Sequence, residues 1–140
     1  MAYDDSIFQT YLAEVPMFRA CTDDELEAIA YLASPRSVDA GTALIRQGET
    51  GDEFFVLMMG TATVSRDGHD VANLEPGDYF GELSLFDQAQ RDATITADVP
   101  VTVAVMDRNA FQAALDAVPA LRDSLLRGMA RRLHELDARA

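Results

Sequence analysis

One stretch of the chain carries a glycine, a carboxylate and an arginine that could together hold a small anionic ligand. Gly81 allows positive φ or a close approach to a ligand, and residues 82–85 are long enough for one helical turn whose free N–H groups attract an anion. Arg91 has a planar fork that suits two phosphate oxygens, whereas Glu82 would repel a phosphate but accept a hydrogen bond from a sugar hydroxyl. The sequence therefore predicts a ligand that contains both a phosphate and a ribose.

This stretch resembles the phosphate-binding cassette of cyclic nucleotide-binding domains, in the letters FGELSLFD followed by RDATITA. The segment AGTALIRQGETGDEFFVLMMGTATV is similar to the first strands of that family, and MARRLHEL is similar to its long C-terminal helix. The resemblance is to the type found in the catabolite activator protein and in protein kinase A regulatory subunits. It implies a sensor without a helix-turn-helix domain, either stand-alone or part of a longer protein.

The resemblance also implies a role for each residue of the predicted site. Glu82 would bind the ribose 2′-OH and Arg91 the cyclic phosphate. Near the C-terminus Arg132 would lie close to the ligand, while Leu136, as an apolar lid, and Asp137 would meet the base. The full predicted ligand site comprises Phe80, Gly81, Glu82, Leu83, Ser84, Arg91, Asp92, Ala93, Arg132 and Leu136.

Two residues depart from the pattern of the family. Gln90 stands where proline is usual, and Asp92 stands where a small residue or a hydroxyl is more common. Because side chains alternate along an extended segment, we expect Asp92 to face away from Arg91. An inward Asp92 would instead repel the phosphate or accept a hydrogen bond from a guanine amino group. The sequence thus favours cyclic AMP over cyclic GMP, and leaves open an interaction or dimerisation module that binds no nucleotide.

We further expect the charge of Arg91 to have no obligatory buried partner in the free protein, so that its removal would leave the fold largely intact.

The other candidates for chemistry are weak. His69 and His134, the only two histidines, are too few and too far apart in sequence for a cupin-type metal site. Cys21 and Ser84 lack the surroundings of a nucleophile. We therefore predict no metal, no cofactor and no catalysis.

Composition limits the partners and the compartment. The 140 residues suit one domain, and a net charge of −13 disfavours nucleic acid. No apolar run approaches the length of a membrane span. Because there is one cysteine, Cys21, no internal disulfide can form, which fits a cytoplasmic location. The expected partners are a cyclic nucleotide and an effector protein that the sequence does not identify.

The elements that must position these residues are predicted to be mainly β with flanking helices. Seven of the eight glycines lie from Gly41 to Gly81 and separate short β-branched and aromatic segments, which is typical of a jelly-roll β roll, a double-stranded β-helix. Asp67-Gly68 and Pro76-Gly77 predict tight turns. The predicted strands are Thr42–Arg46, Glu53–Met59, Ala62–Arg66, Asp70–Leu74, Thr94–Ala97 and Val101–Met106.

Helices are predicted at both ends. Thr22 with Glu25 forms a capping box, Asp107 caps a later helix, and Pro119 begins a long last helix. The wide apolar surface of the last helix could pack on the roll or form a homodimer seam. In the resembled family this helix swings toward the cassette when nucleotide binds. The predicted division is 1–36 for N-terminal helices, 37–106 for the roll with the cassette at 80–93, and 107–140 for C-terminal helices.

Overall fold

The computed structural model describes residues 5–82 and 90–139, with side chains from 7 to 82 and from 90 to 131. Its described helices are α1 (Asp5–Glu14), α2 (Asp23–Leu32), α3 (Arg108–Ala117) and α4 (Pro119–Arg139), with a short 3-10 turn at Pro16–Phe18. Its described strands are β1 (Ser34–Val38), β2 (Ala43–Ile45), β3 (Glu53–Met59), β4 (Ala62–Arg66), β5 (His69–Leu74), β6 (Tyr79–Phe80), β7 (Thr94–Ala97) and β8 (Val101–Asp107).

The strands form two antiparallel four-stranded sheets, in the orders β1-β8-β3-β6 and β2-β7-β4-β5. The β roll with helices at both ends is therefore confirmed. The predicted turns are present as well. Asp67 and Gly68 both have positive φ, as a two-residue hairpin loop between β4 and β5 requires. Gly77 follows Pro76 with a φ of 100°, which fits a type II turn leading into β6.

Two of the described strands, β1 and β6, were not predicted from the sequence. β1 crosses the boundary expected between residues 36 and 37, so the roll begins at Ser34. It is an edge strand with mostly exposed side chains, and Pro35 is tolerated there because an edge strand can do without one ladder hydrogen bond. β6 has only two residues, too few for any alternation to be visible in the sequence.

Strand β3 explains how the two apolar layers of the domain are built. Its residues alternate between two clusters, so that Phe55 and Leu57 lie between the sheets while Phe54 and Val56 face the helices. A strand that is buried on both faces must be almost continuously apolar. The sequence EFFVLMM satisfies this requirement. The helix-side cluster is completed mainly by Phe8, Leu12, Phe18, Ile29, Phe111, Leu121 and Leu125.

The helix caps were predicted correctly. Thr22 and Glu25 make both hydrogen bonds of the capping box, and Asp107 accepts the backbone N–H of Ala110. Helix α1 buries Phe8 and Leu12, whereas Ile7 and Tyr11 are exposed. None of the helices in the described part of the chain is both long and apolar enough to cross a membrane.

Helix α4 buries Leu121 and Leu125 against the roll and leaves Leu126 58% exposed. The other apolar residues of its predicted seam include Leu133 and Leu136, which lie beyond the described side chains. The homodimer through this helix therefore stays a prediction.

Candidate functional site

Arg91 is almost completely buried, with 6% of its surface exposed. Its two terminal nitrogens donate to backbone carbonyls from different elements. Nη1 bonds the oxygen of Gly81 at 3.0 Å, and Nη2 bonds the oxygen of Glu53 at 2.8 Å. The guanidinium thus links the start of β3 to the residue that follows β6, and these two bonds fix its orientation.

The backbone of Arg91 is held as firmly as its side chain. Its N–H donates to the carbonyl of Glu49, and its own carbonyl accepts the N–H of Gly48, both at 2.8 Å. The guanidinium lies directly against Gly51, where a Cβ atom would come within 2.6 Å of Arg91 Cζ. The loop between β2 and β3 therefore forms one wall of the site, and glycine is needed at residue 51 because a side chain there would displace the arginine.

Gly81 fulfils the role that the sequence predicts for it. Its φ is 91°, a conformation that favours glycine, and a Cβ there would lie 2.6 Å from the carbonyl oxygen of Glu53. The next residue, Glu82, is 3% exposed. A buried carboxylate therefore stands one residue from the carbonyl that holds Arg91.

Two opposing influences act on the pKa of Arg91. Burial lowers it, and the carboxylates of Glu53, Asp52, Glu82 and Asp92 act in the opposite direction. An arginine remains protonated at neutral pH in spite of such a shift. The site therefore presents a permanent positive charge among acidic residues, in a protein whose net charge is −13.

Asp92 faces solvent, as the sequence predicts from alternation along an extended segment. Its side chain is 72% exposed and lies 3.5 Å from Arg66, which also donates to the backbone carbonyl of Asp92. Arg91 and Ala93 on either side are buried. The carboxylate of Asp92 therefore points away from the buried guanidinium, and Gln90 beside the arginine is exposed.

The expectation that Arg91 lacks a buried partner was wrong. The two backbone carbonyls of Gly81 and Glu53 are its partners. The sequence could not reveal this, because a backbone acceptor has no residue type. Removal of the arginine would leave both acceptors without this donor, so the residue contributes to the fold as well as to the site.

The other predicted site residues lie in three regions. Phe80 and Ala93 are buried, and the ring of Phe80 stacks on Phe55 with centroids 4.9 Å apart. Leu83 and Ser84 lie outside the described residues. Arg132, Leu136 and Asp137 belong to α4, but their side chains are outside the described part. The structure thus brings together Phe80, Gly81, Glu82, Arg91 and Ala93, and turns the side chain of Asp92 outward.

Sequence reasoning missed the contribution of Gly51 and Glu53. Their signal was available in GETGDE, where a loop glycine directly precedes two carboxylates at the start of a buried strand. Glu53 also pairs through its side chain with Arg36, at 2.8 Å.

Among the described side chains, from 7 to 82 and from 90 to 131, no three of histidine, cysteine or acidic type are grouped as a metal ion would require. Burial and the nearby Glu25 raise the pKa of the Cys21 thiol, which disfavours the reactive thiolate.

Known proteins match this chain over most of its length. A statistical model of the cyclic nucleotide-binding domain matches residues 35–117. A cAMP-dependent protein kinase regulatory subunit from Yarrowia lipolytica is 36% identical over 115 residues, which make up 81% of this chain and 31% of that protein. The chain therefore spans about a third of the length of this curated relative.

Solved structures share the fold. A structure described as cAMP-bound PfPKA-R has a TM-score of 0.84 and 30% identity, covering 96% of this chain and 46% of that one. The regulatory subunit of a cAMP-independent protein kinase A from Trypanosoma cruzi, bound to guanosine, has a TM-score of 0.75 and 26% identity, covering 88% and 45%. The family match ends at Ala117, before Arg132 and Leu136.

Proposed function

The chain belongs to the cyclic nucleotide-binding domain family, and from this we propose that it is a regulatory domain that binds cyclic AMP and transmits the binding event to its C-terminal helix. The cyclic phosphate is bound by Arg91, and the ribose 2′-OH by Glu82. Leu83, Ser84 and Ala93 complete the phosphate cradle, Arg132 lies near the ligand and Glu82, and Leu136 meets the base.

One observation carries this proposal: Arg91 is oriented by two backbone carbonyls beside a positive-φ glycine and a buried carboxylate. Those bonds use two of the five N–H donors of a guanidinium. A phosphate can be bound by the others without breaking them, so the two carbonyl bonds hold the long side chain in place for the ligand. The opposite charges of Arg91 and Glu82 suit a ligand that is anionic at one end and a hydroxyl donor at the other.

We favour cyclic AMP over cyclic GMP. The side chain of Asp92, which could have accepted a guanine amino group, points outward to Arg66. The Yarrowia relative is named for its dependence on cAMP, and the PfPKA-R structure contains it. These two relatives support the adenine nucleotide. Adenine does not need the acceptor that an inward Asp92 would have offered to guanine.

Calorimetric titration tests the proposal. Cyclic AMP, cyclic GMP, adenosine and guanosine are titrated separately into the purified chain, and its melting temperature is recorded with each. A ligand that binds only the folded protein raises the melting temperature with saturation. We expect heat and a thermal shift with cyclic AMP, and weaker effects with the other three. No response to either cyclic nucleotide at millimolar concentration would exclude the sensor function.

The second candidate is a module that does not depend on cyclic AMP. The observation that favours it is the structural match to the Trypanosoma cruzi regulatory subunit, which is described as cAMP-independent and bound to guanosine. In that case the carbonyl bonds of Arg91 serve only the fold. Binding of guanosine with no response to cyclic AMP would select this candidate.

Transmission from the site has a direct route in the fold. β6 leads into Gly81, and Tyr79 of β6 donates to the carbonyl of Leu125 in α4 at 3.5 Å. We infer that a change at the cassette is passed to α4 through this strand of two residues. We propose that α4 presents this change to an effector protein or to a second copy of the chain. A cytoplasmic location and the absence of catalysis remain our predictions.

A further inference from the structure

An ion pair between Arg36 of the edge strand β1 and Glu53 of β3 lies close to the proposed phosphate site. Both terminal nitrogens of Arg36 bond the carboxylate of Glu53, Nη1 to Oε1 at 3.3 Å and Nη2 to Oε2 at 2.8 Å. The cation also lies over the ring of Phe55, with Cζ 5.9 Å from the centroid. Arg36 thus contacts two residues of β3 from a strand that is not a neighbour of β3.

The strand register explains how it reaches them. Arg36 pairs with Val103 of β8, and Val103 pairs with Leu57 of β3. Cross-strand partners share a face of the sheet, and both Val103 and Leu57 lie in the cluster between the two sheets. The side chain of Arg36 therefore enters on the inner face, at the open edge of the roll, and crosses β8 to reach β3.

Both contacts of Arg36 are also contacts of the cassette. The carbonyl of Glu53 accepts Nη2 of Arg91, and the ring of Phe55 lies 3.4 Å from where a Cβ on Gly81 would stand. We propose that Arg36 is a positioning residue for the phosphate site, acting through Glu53 and Phe55. This inference rests on the proposed binding of a cyclic nucleotide.

The pair is too exposed to matter much for stability. The side chains of Arg36 and Glu53 are 47% and 34% exposed, and such surface pairs contribute little to folding. The ion pair instead restrains the geometry of the site. A bidentate pair orients its carboxylate more tightly than a single bond does, and here it restrains the residue whose carbonyl orients Arg91.

Neutralisation of Glu53 separates positioning from simple electrostatics. The carboxylate of Glu53 is an anionic group near Arg91, so electrostatics alone predicts that Glu53→Gln tightens the binding of an anion. A positioning role of Glu53 predicts instead that Glu53→Gln weakens the binding. We expect Glu53→Gln and Arg36→Leu each to weaken cyclic AMP binding about two- to fivefold, the range that corresponds to a partly exposed pair. The double variant should be no weaker than the single ones.

The matched control is Asp116→Asn. Asp116 pairs with Arg122 at 3.6 Å, with side chains 66% and 54% exposed, so this variant removes the same charge from a similar surface pair in the C-terminal helices. It should leave the affinity unchanged. Arg36→Lys, which keeps the charge and loses the fork, should fall between wild type and Arg36→Leu.

A second measurement needs no nucleotide. In arginine-labelled protein, the side-chain Nε–H signal of Arg91 is assigned by its loss in Arg91→Lys and then followed by NMR. We expect it to shift or broaden in Glu53→Gln and Arg36→Leu, and to stay in place in Asp116→Asn. Tighter or unchanged cyclic AMP binding together with an unmoved signal would overturn the inference. A signal that moves in a protein that binds no cyclic nucleotide would instead refute the proposed function and retain the positioning.

Discussion

The hydroxyl of Tyr79 occupies the space that a Cβ atom on Gly128 would require. Tyr79 belongs to the strand that leads into the cassette, and Gly128 lies in the middle of α4. A Cβ on Gly128 would also lie 3.1 Å from Cζ of the tyrosine ring. Glycine is unusual inside a helix, and at residue 128 it allows α4 to pack closely against β6.

This contact predicts the sign of one substitution. By helix propensity alone, Gly128→Ala should stabilise the protein by about 1 kcal/mol. We expect it to lower the melting temperature instead, because overpacking at a buried contact costs roughly 1–3 kcal/mol. Tyr79→Phe removes the clashing oxygen, so the double variant Tyr79→Phe/Gly128→Ala should recover part of the loss. Thermal unfolding of wild type, the two single variants and the double variant measures these differences in melting temperature. A Gly128→Ala protein that is more stable than wild type would contradict the described packing.

Arg91 should prove to be structural as well as functional. Arg91→Leu removes this donor from the partly buried carbonyls of Gly81 and Glu53, and an acceptor left unsatisfied away from water costs about 1–3 kcal/mol. We expect its denaturation midpoint to fall clearly below that of wild type. Arg91→Lys, which can still satisfy one carbonyl, should be intermediate. Equal stability of all three proteins would show that the two carbonyl bonds contribute nothing.

Asp92 should be nearly neutral for binding. Its carboxylate is exposed and faces Arg66, away from the buried guanidinium. Asp92→Ala is therefore expected to change cyclic AMP affinity less than about twofold, since exposed charges are strongly screened. Marked tightening in a calorimetric titration would mean that the aspartate turns toward the phosphate when ligand binds.

Glu82 is tested with the ligand rather than with stability alone. We expect Glu82→Ala to weaken cyclic AMP binding, and the effect to vanish almost completely with 2′-deoxy cyclic AMP, because the hydroxyl that it binds is gone. Glu49→Ala, which removes an exposed carboxylate nearby, serves as the control and should affect both ligands alike. If Glu82→Ala reduces the affinity for the two ligands equally, the assignment of Glu82 to the sugar is wrong.

The sequence predicted what local chemistry determines. The Asp67-Gly68 hairpin, the Thr22 capping box and the bounds of β3, β4 and β7 follow from residue types and short-range periodicity, and the structure has them. The outward side chain of Asp92 followed from simple alternation in the same way.

The sequence did not predict what depends on distant segments of the chain. The carbonyls that hold Arg91 come from residues 10 and 38 positions away, and backbone acceptors carry no signature in the sequence. The contact of Gly51 with the guanidinium arises only when the β2–β3 loop meets the segment before β7. The Arg36–Glu53 pair likewise arises only when β1 and β3 enter the same sheet. The position of Gly128 against Tyr79 depends on how a whole helix packs.

The central claim is that a cyclic phosphate binds to Arg91. Isothermal titration of cyclic AMP into wild-type and Arg91→Leu protein tests it directly, at a temperature where circular dichroism finds both proteins folded. Loss of one partner of a buried charged pair costs roughly 2–5 kcal/mol, so we expect the affinity to fall about thirtyfold to a few thousandfold. A folded Arg91→Leu protein that binds cyclic AMP as tightly as wild type would contradict the account.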